Sequence, residues 1–239
     1  MGIWQHLGEE AVQMIRSPCG GMNGSIFPDD EPYPPDSVAR NALEWMAGAD
    51  RPMLVRLSIL QPHTPVLPPA RFVRLYEGPD PGLPAELPGT ASAFERRVAE
   101  VHGLDRMPPE RLRAARLHYY AQVAWVDEQV GHVLEFLQDA GSLEQTVIMF
   151  GSDHGNPIGD TGAFEKHTFT PTVHRVPLLV SWPGTLPRGE VRDDICDSLD
   201  LARTLFAAAG IEPPDRFKGR DLFSEPAPEA IYSTIGFGQ

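Results

Sequence analysis

At 239 residues, 41% of them apolar, the chain is long enough for one large domain with a buried core, and its apolar content argues against disorder. A formal net charge of -13 works against general binding to nucleic acid or to an anionic membrane, although a bound cation can reverse such a field locally. Two cysteines, Cys19 and Cys196, with no Cys-x-x-Cys pair, exclude a disulfide framework and a thiolate zinc site; no stretch approaches the ~18 apolar residues of a membrane span.

Residues 1–35 read as an irregular lead-in. Glu9 and Glu10 stand where a signal peptide needs an apolar run, so the chain as written is expected in the cytoplasm. Asp36 is positioned to cap a helix running to about Ala49, with Val38, Ala42, Leu43 and Met46 on one face. Met53–Leu60 (MLVRLSIL) has the length and composition of a buried strand, and it runs straight into QPHTPVLPP, where proline stops it. Pro69–Tyr76 predicts a short helix. A long surface excursion over 78–107 holds one helical piece near Ala91–Val101.

Pro108 and Pro109 open the longest helix, which Gly141 stops; Leu117, Tyr120, Ala124, Val130, Leu134 and Leu137 fit one stripe at a period near 3.6. Asp127 falls on that stripe, one turn after Ala124, and is expected to be buried and paired. Thr146–Phe150 predicts a β-branched strand ending in GSDHG, Val176–Trp182 a second strand, and Leu199–Ala209 a helix ended by Gly210. Helices alternating with short apolar strands predict an α/β sheet covered on both faces, with functional groups on loops at the strand C-termini. His63 and the pair Asp153-His154 both fall at such ends.

A carboxylate beside an imidazole after a strand suits a divalent cation; the plainer reading is a helix-capping Asp with a surface His. Gly155, Gly159 and Gly162 permit close backbone approach in the loop that follows. Lys166 is a compact charge suited to a tetrahedral anion, or else an ordinary solvated lysine. His63, flanked by prolines, is either a site residue or a loop histidine, and His167 and His174 add polar groups near Lys166.

The order of these segments resembles the sulfatase family. LSILQPHTP is similar to its strand followed by Pro-His-x-Pro, and YYAQVAWVDEQVGHVLEFL to its long helix with Asp-x-x-x-Gly. TVIMFGSDHGNPIGDTGAFEKHTFTPTVHRVPLLVSWPG is similar to its Ser-Asp-His-Gly strand end, Gly-Asp-x-Gly loop, Lys and Arg-Val-Pro-Leu strand. SLDLARTLFAAAGIEPP is similar to its Asp-Leu-x-x-Thr-Leu helix. The resemblance covers residues 36–222 and is nearest to the iduronate and choline sulfatase type. It implies a three-layer alkaline-phosphatase-like α/β sandwich, a mixed sheet with helices on both faces. It also implies hydrolysis of small-molecule or carbohydrate sulfate esters with a divalent cation, calcium first and magnesium as the alternative. In that reading Asp153 and His154 are metal ligands, Lys166 holds the sulfate and the leaving oxygen, His63 stands beside the leaving group, and either His63 or Lys166 protonates the alkoxide as it leaves.

The family's nucleophile is formylglycine, made from a Cys or Ser in Cys/Ser-x-Pro/Ala-x-Arg, and no such motif occurs here; Cys19 is followed by Gly-Gly-Met-Asn. Asp29-Asp30 comes after Cys19 and reads as a coincidental loop pair rather than the family's acidic metal ligands. Thr161 replaces the His often found in the Gly-Asp-His-Gly loop. The expectation is therefore a domain incomplete at its N-terminus, with residues 223–239 a truncated tail, inactive alone and prone to oligomerise or to need a missing N-terminal segment. The competing readings are a non-catalytic sulfatase-like binding module and a phosphate or phosphonate ester hydrolase of the same superfamily.

Overall fold

The computed structural model describes residues 25–233 apart from 51, 79, 84–88, 103–106, 164, 165 and 167. Cys19 and His167 lie outside the described residues. The chain divides into two compact units: Met1–Gly141 with Asn156–Thr168, and Ser142–Gly155 with Phe169–Gln239.

The first unit is helical. It holds α1 (Asp36–Gly48), α2 (Ala70–Val73) running into a 3-10 turn at Arg74–Tyr76, α3 (Ala93–His102) and the long α4 (Pro109–Asp139). Pro108 caps α4 and Pro109 opens it, where a missing N–H costs nothing. The buried stripe of α4 is Ala115, His118, Ala121, Gln122, Trp125, Gln129 and Leu137. This stripe is more polar than the one the sequence predicts, and Leu134 is exposed. Asp127 is exposed too, correcting its expected burial: two residues past Trp125 is about 200° around the helix, which puts it opposite the core.

Phe27, Tyr33, Phe72, Ala121 and Trp125 form one core cluster, and Val66, Ala115 and Ile158 another. Tyr33 stands edge-on to both Phe27 (5.1 Å) and Trp125 (5.4 Å). Burial is the main cause that lifts the Tyr33 phenol to about 12. The Trp125 indole Nε1–H donates to Asp36 Oδ1 at 2.7 Å. That contact corrects the expected cap. Pro35 occupies the N-cap position, Asp36 is the first helical residue, and its carboxylate serves the indole, which needs an acceptor once buried. The Asp29 carboxylate is structural as well, accepting from the Arg71 backbone N–H (2.9 Å) and the Arg74 guanidinium (2.6 Å). Burial pushes its pKa up, but those two partners outweigh it and hold the carboxyl below the usual range.

Met53–Leu60 is extended but is not the core strand that the sequence predicts. Odd-numbered residues are half-buried and even-numbered ones exposed, with Leu54 and Leu60 at 77% and 70%. Ile59 packs on the Trp125 cluster. No backbone hydrogen bond joins 53–59 to another strand among the described residues. The segment has the period-2 pattern of a strand and lacks the paired edge that makes one.

The second unit holds β1 (Ile148–Gly151), α5 (Pro171–His174), β2 (Leu178–Ser181) and α6 (Ser198–Ala208). The two strands pair antiparallel, Ile148 opposite Ser181 and Gly151 opposite Leu178. They form the one sheet among the described residues, smaller than the covered mixed sheet expected from the sequence. Asp197 and Asp200 cap α6 reciprocally. Asp200 also accepts from the Arg220 backbone N–H at 2.9 Å, and Thr204 Oγ1 accepts from Leu222 N–H at 3.0 Å, which straps residues 219–222 to α6. Gly219 makes that approach close: a Cβ there would lie 2.2 Å from the Leu199 carbonyl oxygen.

Candidate active site

His63 and Lys166, 103 positions apart in the chain, meet in the first unit: Lys166 Nζ lies 2.9 Å from His63 Nε2. The other ring nitrogen of His63, Nδ1, lies 2.7 Å from the Thr64 carbonyl oxygen. A carbonyl can only accept, so Nδ1 carries the ring hydrogen. In the neutral ring Nε2 then presents its lone pair, which accepts from the Lys166 ammonium. Among the described residues this uses one of the three ammonium N–H bonds, leaving two directions for an oxyanion.

The physical reason for the meeting lies in the second core cluster. Val66, three residues after His63, is fully buried, and Ile158, at the start of the loop that leads to Lys166, is 7% exposed. Both share one buried cluster with Ala115 of α4, so this part of the helix ties the two loops together. The peptide bonds before Pro62 and Pro65 are cis. Beyond Ile158 the chain turns through a 3-10 segment at Asp160–Gly162, with Gly159 N–H donating to the Ala163 carbonyl at 2.9 Å. Gly159, at φ 95°, takes a left-handed conformation that favours glycine. Arg116 reaches this loop, with Nη1 donating to Asp160 Oδ1 at 3.0 Å. The Gly-Asp-x-Gly pattern in the sequence names no partner for Asp160, and nothing in it distinguishes Arg116 from a solvated helical arginine.

Asp153 and His154 lie in the second unit, just past β1. No helix starts there, so the capping alternative is not realised. Asp153 Oδ1 accepts from the His154 backbone N–H at 2.9 Å. His154 Nδ1 lies 2.9 Å from the Gly155 carbonyl oxygen, which puts a hydrogen on Nδ1; in the neutral ring Nε2 then presents its lone pair. Asp153 Oδ2 and His154 Nε2 are 3.5 Å apart. Two donors each 2.3–2.6 Å from one calcium ion, at right angles, stand roughly 3.3–3.7 Å apart. The pair therefore fits adjacent positions on one cation. It does not complete a calcium sphere of 6–8 ligands, and no group of three or more His, Cys, Asp or Glu converges among the described residues.

The loop is held by Gly155, whose N–H donates to the Val173 carbonyl at 2.8 Å. A Cβ at Gly155 would lie 1.9 Å from the Thr172 carbonyl oxygen, so the close approach expected of this loop is real at this glycine. His174 ends α5 and stacks edge-on against Phe169 at 5.5 Å. Cys196 is no substitute nucleophile: burial and the Asp200 charge push its thiol pKa up, which keeps it protonated. A separate open cavity of about 390 Å³ in the first unit, lined by residues including Arg40, Arg71, Glu128 and His132, contains none of the four predicted site residues. No helix among the described residues is long and apolar enough to cross a membrane.

The sulfatase family model matches residues 12–211 of the chain. An arylsulfatase of Clostridium perfringens is 29% identical over 205 residues, covering 81% of this chain and 42% of that protein. A choline-sulfatase of Rhizobium meliloti is 30% identical over 167 residues, covering 67% of this chain and 32% of that protein. Among solved structures, a phosphonate monoester hydrolase from Silicibacter pomeroyi superposes with a TM-score of 0.65 at 26% identity, covering 82% of this chain and 42% of that one. The chain thus spans less than half the length of these relatives.

Proposed function

Because the chain belongs to the sulfatase family and has its alkaline-phosphatase-like fold, we propose that it carries the leaving-group end of a sulfate-ester hydrolase. Lys166, oriented by His63, engages the sulfuryl group, and Asp153 and His154 supply two ligands to a divalent cation, calcium in the first instance. The observation that carries this reading is the 2.9 Å contact of Lys166 Nζ with His63 Nε2.

The tautomer of His63 divides the roles. With hydrogen on Nδ1 and the Nε2 lone pair turned to Lys166, neutral His63 orients the ammonium and does not itself donate to substrate. Lys166 directs its remaining N–H bonds at the sulfuryl and ester oxygens and neutralises charge that grows there. As an oxygen nucleophile, ultimately water, forms its bond to sulfur and the sulfur–ester oxygen bond breaks, the electron pair of the broken bond goes to the departing alkoxide, and a proton from the Lys166 ammonium converts it to the alcohol. A cation held by Asp153 Oδ2 and His154 Nε2 would act as a Lewis acid toward a bound oxyanion. The family's formylglycine precursor motif is not in this sequence, so no step is assigned to that group.

The likeness to a phosphonate monoester hydrolase supports a second reading, in which the oxyanion is a phosphonate monoester; a neighbouring ammonium and imidazole serve either anion. Titration of the protein with inorganic sulfate and with methylphosphonate, with and without calcium, tests both. Sulfate binding that falls at least about tenfold in Lys166→Ala, the loss expected for one charge-assisted hydrogen bond, and by a smaller factor in His63→Ala, where the ammonium loses its orienting partner, supports the sulfatase reading. Binding of methylphosphonate in clear preference to sulfate favours the second reading. Anion binding indifferent to both substitutions, or none at all, refutes the site.

A further inference from the structure

Arg116 is hydrogen-bonded to neither His63 nor Lys166, yet it holds the turn from which Lys166 is delivered. Its side chain is 12% exposed and every nitrogen is engaged. Nη1 donates to Asp160 Oδ1 (3.0 Å) and, more weakly, to the Ile158 carbonyl (3.4 Å). Nη2 donates to the Tyr120 hydroxyl (3.3 Å), and Nε to the Pro81 carbonyl (3.4 Å). The turn that it grips is strained. Ile158 sits at φ 45°, a left-handed conformation that a β-branched residue rarely adopts. Such a conformation persists only where its surroundings over-determine it. Here the Ile158 side chain is buried beside Val66 and Ala115, its N–H is taken by Asn156 Oδ1 (3.2 Å), and its carbonyl faces Arg116. The turn closes at Ala163, three residues before Lys166.

We propose that Arg116 is a positioning residue for Lys166. By clamping Asp160 and the Ile158 carbonyl onto α4 it fixes the turn that sets Lys166 Nζ against His63 Nε2. The neighbouring residue Ala115 anchors the His63 loop through Val66, so one turn of α4 aligns both partners. A planar guanidinium suits this role, because it bonds a carboxylate, a carbonyl and a hydroxyl at once in fixed directions. The proposal rests on the reading of His63 and Lys166 as the sulfuryl end of the site.

The test uses ¹⁵N resonances of the His63 ring in the full chain, because the state of Nε2 reports its bond to Lys166 directly. Arg116→Met keeps the side-chain stem and removes the donors; Asp160→Asn removes the partner's charge and leaves α4 untouched. Arg113→Met, one turn earlier on α4, removes only the exposed bond to Asp80 (3.2 Å) and serves as the control for general loosening. The expected result is that Nε2 loses its hydrogen bond and shifts to the position of a free pyridine-type nitrogen in Arg116→Met, shifts part of the way in Asp160→Asn, and stays put in Arg113→Met. Should Arg116→Met fail to fold, Asp160→Asn against Arg113→Met decides. An unmoved Nε2 resonance in the folded Arg116 or Asp160 variant, or an equal shift in the control, overturns the proposal. Sulfate titration of the same samples answers the other question: a wild-type protein that shows the Nε2 bond but binds no sulfate removes the proposed function and leaves the clamp standing.

Discussion

Substituting Gly155 by alanine adds one methyl group where there is no room for it. The new Cβ would stand 1.9 Å from the Thr172 carbonyl oxygen and 3.0 Å from its carbon, and both are backbone atoms that no rotamer change can clear. Ordinary contact begins near 3.4 Å, so the two segments must separate by roughly 1.5 Å. That displacement breaks the 2.8 Å bond from Gly155 N–H to the Val173 carbonyl. The lost hydrogen bond costs about 0.5–1.5 kcal/mol and the overpacking about 1–3, together about 2–4 kcal/mol. For a chain of this length that lowers Tm by on the order of 5–15 °C. The internal comparison is Gly131→Ala, in the interior of α4 with nothing within 4 Å of the new atom; it should stabilise by about 0.5–1 kcal/mol. Thermal unfolding followed by circular dichroism measures both. A Gly155→Ala protein that melts with the wild type shows that the approach to Thr172 is not made in solution, and the account of how the Asp153-His154 loop is held then fails.

Two further outcomes follow from the geometry. Folding raises the Tyr33 phenol from 10.0 to about 12, so the folded state holds that proton more tightly than the unfolded state does. Its contribution is therefore complete below pH 10 and is lost as pH rises from 10 toward 12, about 3 kcal/mol in all, by linkage. Tyr33→Phe should flatten that part of a stability–pH curve, and an unchanged curve would show that Tyr33 is not the group responsible. Calcium in hundredfold excess over its Kd should stabilise the protein by about 3 kcal/mol, and Asp153→Asn combined with His154→Ala should abolish the effect. Persistence of the calcium-dependent rise in the double variant would place the ion elsewhere.

Local rules make the helices readable. Proline at the start of α4, glycine after it, and the Asp197–Asp200 cap of α6 act within a few residues, so their effects survive in a single sequence. The two paired strands are legible from β-branched runs for the same reason, though pairing partner and direction are not. Asp127 misleads because helical periodicity gives a face only to within about a residue, while the real stripe of α4 carries Gln122 and Gln129 among its apolar members. Met53–Leu60 has the look of a core strand because composition shows what a segment could bury and not whether an edge is offered to it. The types of His63, Lys166, Asp153 and His154 are visible through family resemblance. The contact between His63 and Lys166 is not, since it is made by Val66 and Ile158 converging on Ala115, and that convergence exists only in three dimensions. Arg116 leaves no trace at all, because a clamp is defined by its partners.

The extended run Met53–Leu60 has a consequence for the behaviour of the protein in bulk. Its backbone N–H and C=O groups over 53–59 pair with no other strand among the described residues, and with Leu54 and Leu60 facing solvent they offer a template for the addition of a compatible strand, with Arg56 the one charge within the run. Mutual repulsion between chains of net charge -13 opposes the approach of two such templates. That repulsion reaches about 30 Å at 0.01 M salt and only about 8 Å at physiological ionic strength. Salt therefore weakens the opposition to chain-on-chain assembly while leaving the apolar packing around Trp125 in place.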